Sequence, residues 1–123
     1  MLNITEIAFT GYPVTDMPRA RAFYEGVLNL KVASEFEHEG KQWIEYELGT
    51  GTFAISNMAA EWKPSADGPS VAFEVQDFDA ALAAVGAAGV RCVAEVVETP
   101  VCRFAVILDP DGNSITLHRR NTP

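Results

Sequence analysis

Long apolar runs are missing from this chain. A helix that crosses a bilayer needs ~20 consecutive apolar residues, and no stretch approaches that length, so no membrane partner is expected. Met1 to Thr10 has neither a basic start nor an apolar core behind it, so no secretory signal is predicted. Cysteine is scarce: Cys92 and Cys102 lack zinc-finger spacing. Without a secretion signal they are expected as reduced thiols in a cytoplasmic protein. Basic residues are few as well, 9 Lys and Arg against 17 Asp and Glu, for a net charge of −8. Phosphate backbones demand a basic stripe, so nucleic acid is not an expected partner. Only two histidines are present, His38 and His118, which narrows the scope for a metal site. No Ser-His-acid order, phosphate loop or dinucleotide fingerprint occurs, and Gly49-Thr50-Gly51 is short enough to be a turn alone.

What is present suits one compact domain: 123 residues, 48% of them hydrophobic. Ile4 to Val14 is extended in character, with Pro13 tolerable only near a strand end. Thr15-Asp16-Met17-Pro18 reads as a helix start, with a capping side chain and Pro in the first turn. Ala20, Phe23, Tyr24, Val27 and Leu28 recur at helical spacing, and Asn29 provides a left-handed stop. Strands are predicted at 30–36, 42–48 and 52–57, the first two joined by the turn Glu37-His38-Glu39-Gly40. Residues 58–68, with Pro64 and Gly68, form a linker. A strand at 70–75, a helix begun by Asp77 and ended by Gly89, and strands at 90–97 and 103–108 follow. Asp109-Pro110-Asp111-Gly112-Asn113 is turn chemistry, and it leads into the alternating strand Ser114-Ile115-Thr116-Leu117-His118.

The second half repeats the first. Val14-x-Asp16 matches Val75-x-Asp77, and Ala20 matches Ala81, each 61 residues apart, while Phe53-Ala54-Ile55-Ser56 fits Ile115-Thr116-Leu117-His118 at 62. Each half reads βαβββ, with module 1 at about 4–57 and module 2 at about 69–119. The expected class is α+β. A sheet with one helix has one covered face and one bare face, so two tandem modules are expected to form a curved mixed sheet around a cup-shaped cleft, the natural place for a ligand.

The residues Val14 to Glu25 with Leu28 to Lys31, then Phe73 to Ala80 with Ala88-Gly89-Val90, and finally Asp109 to Asn113 resemble the vicinal oxygen chelate superfamily. That superfamily holds glyoxalase I, bleomycin-resistance proteins and extradiol dioxygenases. The resemblance implies one glyoxalase-like domain and, in metal-dependent members, four His, Gln or Glu ligands from the first and last strands of each module. Set in register, those positions fall at Phe9, Ala54, Ser70 and Thr116. Phe and Ala cannot coordinate, and neutral hydroxyls hold divalent ions weakly. A slip of one residue turns the strand to its other face and does not rescue the site. No metal or other cofactor is therefore expected.

The lead expectation is a protein that binds a small organic molecule in a metal-free apolar cup, as bleomycin-resistance proteins sequester a ligand without chemistry. The candidate ligand-binding residues are Phe9, Ala54, Ser70, Arg103, Thr116, His118 and Trp62. Arg103 either faces the cup, as a fork for a carboxylate or phosphate, or pairs with a surface carboxylate. Trp62 in the linker is expected to cover either the cup mouth or a partner subunit. Cys102 reads best as a buried thiol. Two enzymatic alternatives remain: a metal-independent lyase or isomerase with His118 as its catalytic acid/base, and a glyoxalase I or dioxygenase type with ligands relocated to His118, Glu45, Glu47 or Glu74. The resemblance also implies a homodimer.

Overall fold

The computed structural model describes residues 2–121. The chain forms two compact units, the first ending at Lys63 and the second beginning at Pro64, so the division falls inside the expected linker. Unit 1 contains β1 (Thr10–Pro13), α1 (Met17–Arg21) with a π-helical continuation over Ala22–Val27, β2 (Val32–His38), β3 (Lys41–Leu48) and β4 (Gly51–Ser56). Unit 2 contains β5 (Val71–Glu74), α2 (Phe78–Ala87), β6 (Val97–Glu98), β7 (Cys102–Leu108) and β8 (Ser114–Arg120). Strand order is β1-β4-β3-β2 in one sheet and β5-β8-β7-β6 in the other. First and last strands of each unit pair in parallel, and the remaining pairs are antiparallel. Two βαβββ modules of α+β class are thus present.

The punctuation of both modules works as the sequence suggests. Asp16 and Asp77 each accept a hydrogen bond at 3.0 Å from the backbone N–H three residues on, Arg19 and Ala80, which satisfies an otherwise orphaned helix donor. Asn29 at φ 59° and Gly89 at φ 73° end the helical segments in the left-handed region. In the closing turn, the buried Asp109 carboxylate accepts from the N–H groups of Asp111 and Asn113 and from the Asn113 side chain, all at 2.9 Å. Gly112 sits there at φ 90°.

Three expectations need correction. The extended stretch at 4–14 condenses to a strand at Thr10–Pro13, with Leu2, Ile4 and Ile7 exposed. The β1–β4 register explains this: Thr10 faces Phe53, so the chain before Ala8 runs past the start of β4 at Gly51. The strand expected at 90–97 reduces to Val97–Glu98 plus an isolated bridge from Cys92 to Ile107. Val97 pairs with Phe104, a register that would set Cys92 opposite Asp109, so the ladder slips by two residues in between. The first helix widens to π geometry, where the Leu28 N–H bonds the Phe23 carbonyl at 2.9 Å. Phe23 and Tyr24 remain buried, while Val27 and Leu28 are half-buried.

One face of each sheet carries its helix. In unit 1 the fully buried Tyr24 meets Tyr46 and Phe53, with ring centroids 6.3 and 5.3 Å away. The Tyr46 hydroxyl donates to Glu25 at 2.8 Å, and Arg21 joins Glu25 to Glu35. Burial, then the bond to the Glu25 carboxylate, drives the Tyr46 phenol well above its ordinary range. In unit 2 the corresponding layer is aliphatic, with Val85, Ile107, Ile115 and Leu117 all buried. Among the described residues, no helix is long and apolar enough to cross a membrane.

Candidate functional site

Strand alternation assigns the other, helix-free face of each sheet. In unit 1 the rows are Phe36, Trp43 and Ser56, then Ser34, Glu45, Ala54 and Gly11, because cross-strand partners share a face. Phe9 lies two residues before Gly11 and so belongs to the same face. Its ring meets Trp43 edge-on, with centroids 5.0 Å apart and planes at 89°, a favoured aromatic geometry.

Trp62 also arrives on this face. A Cβ placed on Gly11 would stand 2.9 Å from Trp62 Cη2 and 3.2 Å from Phe9 Cε1, so both rings close over a backbone that carries no side chain. The rings stay partly open: Phe9 is 44% and Trp62 37% exposed, while Ala54 beside Gly11 is buried at 1%. A carboxylate shares the face with Trp43. Glu45 Oε2 accepts from Trp43 Nε1 at 2.9 Å, and Oε1 accepts from the Ser34 hydroxyl at 3.4 Å. A half-open groove of about 520 Å³ lies nearby, lined by Glu6, Ile7, Thr10, Thr50 and Thr52 among others. None of the expected site residues lines it.

The same face of unit 2 carries a row of polar groups beside Phe104 and Val106. Ser70 and Thr116 come together with hydroxyl oxygens 3.4 Å apart, and Ser70 also reaches the Ser114 carbonyl at 3.3 Å. One step along β8, His118 pairs across to Glu74 on β5 and to Phe104 on β7. His118 Nδ1 lies 2.5 Å from Glu74 Oε1, and Glu74 Oε2 accepts from the Arg120 N–H at 2.8 Å. The His118 contact first, and that backbone bond second, hold the Glu74 carboxyl below its ordinary value of 4.5. A carboxylate on Nδ1 selects the tautomer and leaves Nε2 as the nitrogen for a ligand or proton.

Arg103 stands apart from both faces just described. It alternates with Ala105 and Ile107 on the helix side, its guanidinium 4.6 Å over the Phe78 ring. It also pairs with Asp79 at 3.2 Å and Glu98 at 3.0 Å. Of the two readings its sequence position left open, it takes the carboxylate-paired one. Cys102 is partly buried, its Sγ 3.3 Å from the Thr99 hydroxyl.

The residues at the expected metal-ligand positions do not fit a metal. In unit 1 they are Phe9 and Ala54, and in unit 2 two hydroxyls that already engage each other. A shift of two residues along the first strands brings up Gly11 and Ala72, which have no donor either. The relocated acids do not converge: Glu45 binds Trp43 and Ser34, Glu74 binds His118, and Glu47 is exposed. Among the described residues, no three His, Cys, Asp or Glu side chains gather as a metal cluster.

Comparison with known proteins agrees with the fold. The family model described as the Glyoxalase/Bleomycin resistance protein/Dioxygenase superfamily matches residues 6–117. No curated protein matches. Among solved structures, TnmS3, an antibiotic binding protein from Streptomyces sp. CB03234, superposes with TM-score 0.81 at 21% identity, covering 98% of this chain and 100% of that one. A glyoxalase/dioxygenase from Nostoc punctiforme gives 0.79 at 20% identity over 98% and 94%. A glyoxalase/bleomycin resistance protein from the same Streptomyces strain gives 0.74 at 23% identity over 91% and 98%. At these identities the likeness is one of fold.

Proposed function

The chain belongs to the Glyoxalase/Bleomycin resistance protein/Dioxygenase superfamily, and from that premise we propose that it binds a small organic molecule without a metal, on the helix-free sheet faces. One observation carries the reading. Where the family's metal ligands would stand in unit 1, the rings of Phe9 and Trp62 close over Gly11, beside the buried Ala54. Such a surface contributes apolar contact and shape but no Lewis acid. The antibiotic-binding description of TnmS3 supports the same class of function. In this reading Phe9 and Trp62 offer apolar contact on the face of unit 1, and on the face of unit 2 Ser70, Thr116 and His118 offer polar anchors. Arg103 is held back by Asp79 and Glu98. The working form is a cytoplasmic homodimer.

Native mass spectrometry of the purified protein tests the metal and the dimer, and a thermal-shift ligand screen with an activity assay tests binding without chemistry. The expected result is a dimer mass with no stoichiometric metal, and added ligands that shift the melting temperature without turnover. Stoichiometric zinc, nickel or iron on the protein would overturn the metal-free reading, and a monomer at micromolar concentration would overturn the dimer.

A second reading is favoured by the His118–Glu74 contact. A histidine held in one tautomer by a carboxylate is equipped for proton transfer from Nε2, as a metal-independent lyase or isomerase requires. Turnover of a confirmed substrate that survives His118→Ala would end this reading.

A further inference from the structure

We propose that the open face of unit 1 selects one class of ligand: a flat, fused-ring aromatic molecule that carries a positive charge. The inference rests on the small-molecule reading above and narrows it. Three rings supply aromatic surface. Phe9 and Trp62 meet over Gly11, and Trp43 stands edge-on to Phe9. They are partly open to solvent, and Phe36, the cross-strand neighbour of Trp43, is 59% exposed and extends the patch. Aromatic faces attract both π systems and cations, indole most strongly.

Glu45 adds the sign. Its carboxylate shares the face with these rings, oriented by the Trp43 indole N–H and the Ser34 hydroxyl, both neutral donors. Among the described residues, no ion pair involves Glu45. A negative charge beside apolar rings, held in place by neutral donors, discriminates by charge among ligands of equal shape. An anionic ring system of the same size stacks equally well but meets repulsion from Glu45, whereas a cation gains from both the carboxylate and the indole faces.

The chain reads out its own site, because its two tryptophans, Trp43 and Trp62, both lie on this face. The full chain is titrated with proflavine, a planar tricyclic cation, and with anthracene-2-carboxylate, a planar tricyclic anion. Tryptophan quenching and calorimetry follow both titrations. The cation is expected to bind about tenfold or more tighter than the anion. Glu45→Gln keeps the shape and removes the charge, and it should close that gap to within about twofold. Since the whole protein is acidic, Glu95→Gln on the exposed surface of unit 2 serves as the control and should preserve the gap.

Equal binding of the two probes, or a gap that persists in Glu45→Gln, overturns the charge selection while leaving the small-molecule reading in place. Failure of both probes to bind also overturns the inference. The broader reading stands or falls separately, on the mass-spectrometric and thermal-shift result.

Discussion

Units 1 and 2 share a strand order, a capping aspartate and a left-handed helix stop, yet almost nothing of the chemistry on their faces. On the helix side, Tyr24, Tyr46 and Phe53 of unit 1 correspond to Val85, Ile107 and Ile115 of unit 2, so aromatic side chains in one repeat stand where the other has aliphatic ones. On the open side the divergence is wider. Trp43 corresponds to Phe104, Glu45 to Val106, Gly11 to Ala72, and the pair Pro13 and Ser56 to Glu74 and His118. Folding constrains the helix side to be apolar and closely packed. It asks little of the open side, so that is where the two copies differ most in kind.

The largest expected effect sharpens the helix-side half of this contrast. Tyr24 and Val85 are repeat mates, 61 residues apart, and both are buried. Truncating the larger side chain removes more apolar contact and leaves the larger cavity. Tyr24→Ala should cost ~3–5 kcal/mol, the range for large aromatic truncations. Val85→Ala should cost ~1.5 kcal/mol, at roughly 0.8 kcal/mol per methylene-sized group. Urea unfolding of the two variants measures both. Equal losses would mean that the aromatic layer of unit 1 is no more important to stability than its aliphatic counterpart.

The next effect addresses the open faces. Gly11 carries two rings above it, whereas its repeat mate Ala72 is exposed and already bears the Cβ that Gly11 lacks. Gly11→Ala must displace the indole of Trp62 or the ring of Phe9, a form of overpacking that costs ~1–3 kcal/mol. Tryptophan emission should shift to the red as Trp62 moves into water. Ala72→Gly should leave emission unchanged and stability within about 1 kcal/mol. An unshifted spectrum in Gly11→Ala would show that Trp62 does not rest on Gly11 in solution.

The gap between sequence and structure follows the same division. The βαβββ order, Asp16, Asp77, Asn29 and Gly89 were legible because caps and stops act within a few residues of themselves. The π-helical widening at Ala22–Val27 was not, since its residues keep an ordinary apolar stripe and differ only in hydrogen-bond step. Trp62 had no periodicity to place it, and Gly11, whose missing side chain leaves room for the indole, was not read as a contact point. Alternation left the side of Arg103 open, and the answer lay in Phe78 and Asp79 at the start of α2, distant in sequence. Glu74 and His118 were visible singly, but their contact depends on a β5–β8 register that pairs residues 44 apart.

That contact yields the smallest effect and the one that separates the units by pH. The Glu74 carboxyl is held below its ordinary 4.5, chiefly by His118 and then by the Arg120 N–H. A carboxyl whose folded-state pKa is depressed stabilises the fold above its unfolded value and loses that contribution as pH falls through the folded one. Stability attributable to Glu74 is therefore full above pH 4.5 and fades below it. The pair is partly solvent-exposed, so the contribution should be under ~1 kcal/mol. Glu74→Gln should flatten the acid limb of the stability profile, measured by urea unfolding at a series of pH values below 4.5. In unit 1 the same positions hold Pro13 and Ser56, which do not titrate, so Ser56→Ala should leave the slope of that limb unchanged. An acid limb equally steep in Glu74→Gln and the parent chain would mean that the His118–Glu74 contact does not persist in solution, and with it would go the tautomer argument for His118.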